Sequence, residues 1–500
     1  MPRYLGTMRS FLTAIPQYAT PTIVSLITFG LVARLLSTSE LGVYGLVVSA
    51  TYLIGLTSNF GIKKAVIIRI SRGEPSRIFW MGFLYSILTI LSFSFITVWI
   101  FNYFKIFEEI EMPGITYPFF LLLLVIFSLR NYLTAGLEAH KMFHLTSAYT
   151  SIGFILYRIL MIISVLYGYS VLGIIISWII GETISIFPII WKTISIVGIN
   201  VKGLASDGFT FILRETPSIY LSDLTLVLID YGDRILTGIF GLYFLANFYI
   251  ASTGAQSLSS LTQALYSGLL PHIAEEYNNN KHEFEIYIRK LSKFFALTLS
   301  PIYMISAILA YPLIFLFVGP SYNAAIPLFQ IIVFGLWLAS IQPLIITALL
   351  ATNNAKEAMI SQIVGLIIDV LVLLGLFNII GYLSAGFGKA FLYISTMSIG
   401  IFFIYRKLGV VPYKIGDIIR IIVANVLTGA VLWLIWIYTF RISLLPIYII
   451  TSLSIYILFL RLLRIIDRED IEILENELPL KGKIRNIIIK LISKLSGIKI

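Results

Sequence analysis

The sequence predicts an all-α integral membrane protein of about fourteen transmembrane helices. Two pseudo-symmetric six-helix lobes, related as a parallel repeat, would be followed by two extra helices. Composition, the length of the apolar runs and the placement of charge carry this expectation. Of 500 residues, 58% are hydrophobic and 12% charged, and mean hydropathy is +0.94. Soluble domains carry about a quarter charged residues, so lipid must be the solvent for most of this chain. Backbone amides and carbonyls find no water in a bilayer, which leaves helices or closed barrels as spanning structures. The apolar runs are about 20 residues long and do not alternate, which selects helices.

There is no cysteine, which excludes disulfides, thiolate zinc sites, iron–sulfur clusters and cysteine catalysis. The net charge of +11 is read as basic residues held on the cytoplasmic side, not as a nucleic-acid surface. The spans are expected at 11–36, 41–60, 78–104, 117–137, 147–167, 171–191, 210–230, 243–270, 294–318, 324–350, 358–378, 385–405, 416–439 and 445–463. The first has no A-x-A-like cleavage site and is taken as a span, not a removed signal peptide. With a cytoplasmic N-terminus, inner segments hold Arg3, Arg9, the run from Lys63 to Arg77, Lys281 to Lys293, Arg406, Lys407 and the basic tail. Outer loops hold only Lys105, Arg234 and Arg441. This asymmetry predicts that both termini are cytoplasmic. The outer loops are too short to form a domain, and the inner loops read as structureless. In the tail, Ile484, Ile487, Ile488, Leu491, Ile492 and Leu495 recur at helical spacing beside Lys483, Lys490 and Lys494. That pattern suits an amphipathic helix on an anionic leaflet, or a simple topology anchor.

Ionisable groups inside spans are costly and point to function. Arg34, Arg158, Arg214 and Lys389 are candidate cations facing a cavity, whereas Arg130 and Arg420 are read as snorkelling. The seventh span is the most polar, with Arg214, Glu215, Ser218, Ser222, Asp223 and Asp230 around Pro217. Glu215, Asp223 and Asp230 fall within about 80° on a helix. The eighth span carries a stripe of Ser252, Gln256, Ser259, Gln263 and Ser267, suited to sugar hydroxyls or to interhelical packing. The first carries Thr13, Gln17, Thr20 and Thr28 beside Pro16 and Pro21, which could let it bend. Glu182, Asp223 and Asp369 are candidates for H⁺ or Na⁺ coupling, or for pairing with a basic neighbour. The histidines His140, His144, His272 and His282 fall in inner loops and read as surface residues, so no metal site or cofactor is expected.

Two hairpins resemble each other: Arg34-Leu35-Leu36 with Gly42-Val43-Tyr44, and Arg234-Ile235-Leu236 with Gly241-Leu242-Tyr243. An offset of six spans preserves orientation and gives a parallel repeat. The lobes would cover residues 1–200 and 201–410, the additional helices 411–463, and a cytoplasmic tail 464–500. Ala33-Arg34-Leu35-Leu36, Glu40-Leu41-Gly42-Val43-Tyr44 and Asn59-Phe60-Gly61 resemble the opening of the polysaccharide transporter family, which includes O-antigen and teichoic-acid flippases. This family sits in the superfamily that also holds MATE drug exporters. Asp233-Arg234-Ile235-Leu236, Gly319-Pro320-Ser321-Tyr322 and Thr352-Asn353-Asn354 extend the resemblance into the second half. It implies two lobes around a V-shaped cavity and export of a lipid-linked oligosaccharide across the cell membrane by alternating access, not catalysis. No nucleic-acid partner is expected, and a monomer is. A cation-coupled multidrug exporter of the same fold is a second reading. The absence of an acidic residue between Phe11 and Leu36 counts against it. A membrane glycosyltransferase or polymerase is a third, with only Glu108, Glu109 and Glu111 as outer acidic groups.

Overall fold

A computed structural model describes residues 22–73, 77–198, 207–266, 269–279 and 281–465. Among them every regular element is helical. In chain order these are α1 (Thr22–Leu35), α2 (Thr38–Thr57), α3 (Ile62–Ser71), α4 (Arg77–Tyr103), α5 (Thr116–Ala139), α6 (Phe143–Leu166), α7 (Ser170–Val197), α8 (Asp207–Gly238) and α9 (Leu242–Tyr266). They continue as α10 (Leu269–Asn279), α11 (Lys281–Ile308), α12 (Ala310–Val318), α13 (Ala325–Leu338), α14 (Gln342–Ala351), α15 (Ala355–Ile380), α16 (Leu383–Leu408), α17 (Ile415–Thr439) and α18 (Leu445–Leu462).

So far as it is described, each expected span falls on helix. Among the described residues, 10 helices are long and apolar enough to cross a membrane, and a bent pair, α13 with α14, makes up to 11. The helix α1 is described only from Thr22 and is short. The ionisable residues of α8 and the Ser, Thr and Gln of α9 lower their apolarity, although both are long. The chain is a multi-pass membrane protein.

Four details depart from the sequence reading. The run after Lys63 is not a structureless loop. It forms α3, because Ile62, Ala65, Val66 and Ile70 recur on one side and are buried. Likewise Lys281–Lys293 is the opening of α11, and the expected ninth span at 294–318 is instead a helix ending at Ile308 followed by α12. His144, His272 and His282, expected in loops, lie in α6, α10 and α11. The tenth span bends by 47° where α13 meets α14. Arg234 is not in an outer loop. The helix α8 runs on to Gly238, and Arg234 is only 3% exposed. The tail from residue 466 onward and the stripe of Thr13, Gln17 and Thr20 lie outside the described residues.

By contact the chain divides into two compact units, one comprising Thr28–Tyr249 and the other Met1–Ile27 with Ile250–Ile500. In the first, α6 and α5 both pack along α7, and α2 packs along α8. A capping box starts α2: the Ser37 amide donates to Glu40 Oε2 at 2.7 Å and the Glu40 amide to Ser37 Oγ at 3.3 Å. Small residues permit the closest approaches, as expected where lipid supplies no hydrophobic drive between helices. A Cβ on Gly181 of α7 would stand 2.5 Å from the Gly153 carbonyl oxygen of α6. Gly42 lies directly against the main chain of Leu242, so the two similar hairpins touch each other. In the second unit, α15 packs along α16, which also meets α13 and α14, while α11 meets α13 and α17. Asn425 of α17 donates to Ser300 Oγ of α11 at 2.8 Å, and Tyr456 of α18 to the Leu297 carbonyl at 3.1 Å. These bonds fasten the two additional helices to the unit.

Several hydroxyls inside the bundle are satisfied within their own helices. Ser49, Thr51, Ser128, Ser177, Thr225 and Thr428 each donate to the carbonyl four residues earlier at 2.7 Å. That bond removes the cost of a bare hydroxyl in an apolar setting.

Replacing Gly181 with Val should force α6 and α7 apart and cost about 1–3 kcal/mol by overpacking. Thermal unfolding of the detergent-solubilised protein should show a lower midpoint than for Gly375→Val, a position with open space around it.

Candidate functional site: an arginine–tyrosine cluster

The unit Thr28–Tyr249 gathers ionised and aromatic side chains from α1, α2 and α5 to α9. Arg158 lies on α6. Its Nη1 donates to Thr28 Oγ1 of α1 at 3.3 Å, and its guanidinium rests over the rings of Phe154 and Tyr157, 4.9 Å and 5.1 Å from their centroids. Tyr157 meets Tyr44 of α2 hydroxyl to hydroxyl at 3.3 Å. Tyr44 lies edge-on to Tyr249 of α9. Arg234 of α8 sits over Tyr249 at 5.0 Å and over Tyr231 at 5.3 Å. Tyr231 stacks on Tyr52 at 4.9 Å and 4°. Tyr52 then touches Trp178 of α7, which stacks back on Tyr157. The contacts close into a ring.

Arg130 of α5 adjoins the ring. It pairs with Glu182 of α7 and lies 4.9 Å over Phe127, while Trp178 Nε1 donates to Glu182 Oε1 at 3.0 Å. Arg130 is therefore not a snorkelling residue. The spacing of Trp178 and Glu182, four apart on α7, and of Phe127 and Arg130, three apart on α5, puts each pair on one helix face. Asp233 is buried beside Arg234 and accepts its main-chain amide at 2.8 Å. Guanidinium charge is thus lodged among tyrosine hydroxyls and aromatic faces. Such faces attract cations without supplying a full counter-charge.

The other expected residues fall on several elements. Arg34 is exposed at the end of α1, and Arg214 belongs to α8. Asp223 pairs with Lys64 of α3. Glu182 and Asp223 each take the basic neighbour that was one of their two expected fates. Gln256 is half-buried on α9, and nearby Ser260 meets Thr22 of α1 hydroxyl to hydroxyl at 3.1 Å, an interhelical contact. Gln263 lies in α9, while Gln17 is outside the described residues. Asp369 of α15 and Lys389 of α16 are both buried, at 1% and 5% exposure. The Asp369 carboxylate lies against the main chain at Gly388, the residue before Lys389. Outside the spanning helices, burial lowers the pKa of the Lys63 ammonium, while Glu138 at 3.1 Å pulls it upward. His140 Nδ1 lies 2.8 Å from the Gly136 carbonyl at the end of α5 and is taken up in capping.

The family model described as polysaccharide biosynthesis protein matches residues 31–327. The chain belongs to the polysaccharide biosynthesis protein family. No curated protein matches the chain. Among solved structures, this family member is similar to the lipid II flippase MurJ in an inward closed conformation, with a TM-score of 0.69 and 14% identity over 90% of this chain and 98% of that one. An inward-facing multidrug-resistance MATE family transporter of the MOP superfamily matches with a TM-score of 0.61 and 14% identity over 80% of this chain and 98% of that one. The Vibrio cholerae MATE transporter VcmN gives 0.52 and 14% over 80% and 97%. At these identities the likeness is one of fold. This polysaccharide biosynthesis protein therefore has the fold of flippases and multidrug transporters.

From sequence, Arg234 and Tyr44 entered only as parts of the repeat and family motifs, Arg234 also as a loop charge, and Tyr52, Tyr157, Tyr231 and Tyr249 not at all. The ends of α8 hid Arg234, since a span drawn to residue 230 leaves it in a loop. With 29 tyrosines in the chain, their abundance carries no position.

Removing Arg130 strands Glu182, so Arg130→Met should cost about 3 kcal/mol. Arg130→Met with Glu182→Gln should cost less than that single change, and a double-mutant cycle on thermal or denaturant stability measures the coupling.

Proposed function

We propose that this family member moves a lipid-linked oligosaccharide, carried on a polyprenyl diphosphate, across the plasma membrane for assembly of a cell-surface glycan. The observation that carries the reading is the gathering of Arg130, Arg158 and Arg234 with tyrosines inside one helical unit of a chain of this family. A diphosphate is the part of such a substrate that lipid rejects. Guanidinium groups recognise phosphate oxygens through paired donors, and hydroxyl-bearing rings suit a saccharide. The fold likeness to a protein titled lipid II flippase supports the same class of cargo.

Two lobes, 1–200 and 201–410, would alternate access, with 411–463 as additional helices and 464–500 as a tail on the cytoplasmic side. The charge asymmetry of the loops supports cytoplasmic termini. Arg34, Arg158, Arg214 and Lys389 are proposed to contact the headgroup, and Gln17, Gln256 and Gln263 the sugar. The buried Asp369 is the foremost candidate for H⁺ or Na⁺ coupling. Glu182 and Asp223 would take that role only by releasing Arg130 and Lys64.

The MATE likeness favours one other reading, a cation-coupled multidrug exporter. Dye efflux driven by an imposed ion gradient, with no movement of lipid-linked glycan, would decide for it.

In proteoliposomes or cells, Arg158→Ala should lower transport of the lipid-linked glycan at least about tenfold, the loss of one charge-assisted contact. Arg158→Lys should fall between, since an ammonium keeps the charge without the fork. Full transport by the Ala variants of Arg34, Arg158, Arg214 and Lys389 alike would remove the cationic mechanism.

A further inference from the structure

The corner between α2 and α3 grips α8 beside its proline. Asn59-Phe60-Gly61 turns the chain with two successive left-handed residues, at φ 49° for Phe60 and 75° for Gly61. A bulky residue rarely takes that conformation, and it persists where surroundings hold it. The surroundings here are α4 and α8. The Phe60 ring lies 5.3 Å from Phe93 and 4.6 Å from Tyr220. Gly61 is pressed against the α8 main chain. A Cβ there would stand 3.0 Å from the Tyr220 amide and 3.1 Å from the Thr216 carbonyl.

Between those contact points α8 carries Pro217. Proline cannot donate the amide bond to the preceding turn, so the helix has a ready bending point there. About two turns further, Asp223 pairs with Lys64 of α3. The helix α3 is itself anchored elsewhere. Lys63 Nζ reaches Glu138 Oε1 at 3.1 Å and Asn131 Oδ1 at 3.3 Å on α5, and Ser71 donates to the Ala139 carbonyl at 3.2 Å. Its buried side packs with Phe79, Tyr132 and Leu137.

We propose that the α2–α3 corner is a releasable latch on α8. Phe60–Gly61 and the Lys64–Asp223 pair hold the proline-containing half of that helix to the α5 scaffold, and opening of the pair accompanies bending at Pro217. The two lysines divide the work. Lys63 is the anchor, 18% exposed at the side chain, and Lys64 the catch, 55% exposed. A half-exposed ion pair adds little net stability, which suits a contact that must break and re-form.

The chain's lack of cysteine makes the latch directly measurable. Spin labels at Arg72→Cys, at the end of α3, and Ser222→Cys on α8, both exposed positions, report their separation in the full chain without any substrate. One narrow distance is expected. Lys64→Gln and Asp223→Asn, each close in size to the native residue, should broaden it or add a longer population. The exchanged pair Lys64→Asp with Asp223→Lys should restore it. Unchanged distributions in both single variants would overturn the latch. The bearing on transport rests on the function proposed above and has its own arm. Lys64→Cys with Asp223→Cys, joined by a short reducible thiol cross-linker, should transport at least tenfold less than the same protein after reduction. Undiminished transport while cross-linked would overturn release during the cycle. If the spin-label distances respond but the native chain moves no lipid-linked glycan, the latch stands and the transport reading fails.

Discussion

A bilayer offers no water to an ionised side chain, so each charge carried into the bundle must be solvated by the protein itself. That requirement organises the Thr28–Tyr249 unit. Arg130 is met by Glu182, Lys63 by Glu138, and Lys64 by Asp223. Arg158 and Arg234 rest over tyrosine and phenylalanine rings. The helices can present these groups to one another because their own backbones are satisfied internally and several of their hydroxyls fold back on the preceding turn. Close crossings such as Gly153 with Gly181 then bring the charged faces within reach.

The same constraint separates two kinds of ionic contact. Pairs enclosed by the bundle, such as Arg130 with Glu182, are expensive to break because either partner alone would be stranded. The pair at the margin, Lys64 with Asp223, is half wetted and can part at little cost. A transporter fold needs both: rigid packing that moves as a body, and a few contacts that open. The placement of the weak pair about two turns beyond Pro217 puts compliance and release on the same helix.

The chain belongs to a polysaccharide biosynthesis family and has the fold of flippases and multidrug transporters; a lipid-linked oligosaccharide is the cargo class proposed for it. The arginine–tyrosine cluster supplies a chemical reason for that class. Guanidinium suits diphosphate, and hydroxylated aromatic rings suit a saccharide. Neither a hydrolytic nucleophile nor a metal is needed to carry such a molecule across a bilayer.

Hydropathy alone determined the helical membrane class and the approximate place of the helices among the described residues, because a helix must match the thickness of the hydrocarbon core whatever its neighbours are. What one-dimensional pattern left undecided was the partner of each charge. Arg130 looked like a snorkelling residue and Arg234 like a loop residue, since their solvation comes from Glu182, Tyr231 and Tyr249 on other turns or other helices. The short amphipathic helix α3 was invisible beside a run of basic residues, because its apolar face is defined only by the α4 and α5 side chains it covers. Span length is a property of the bilayer, whereas the neutralisation of buried charge is a property of which helices meet.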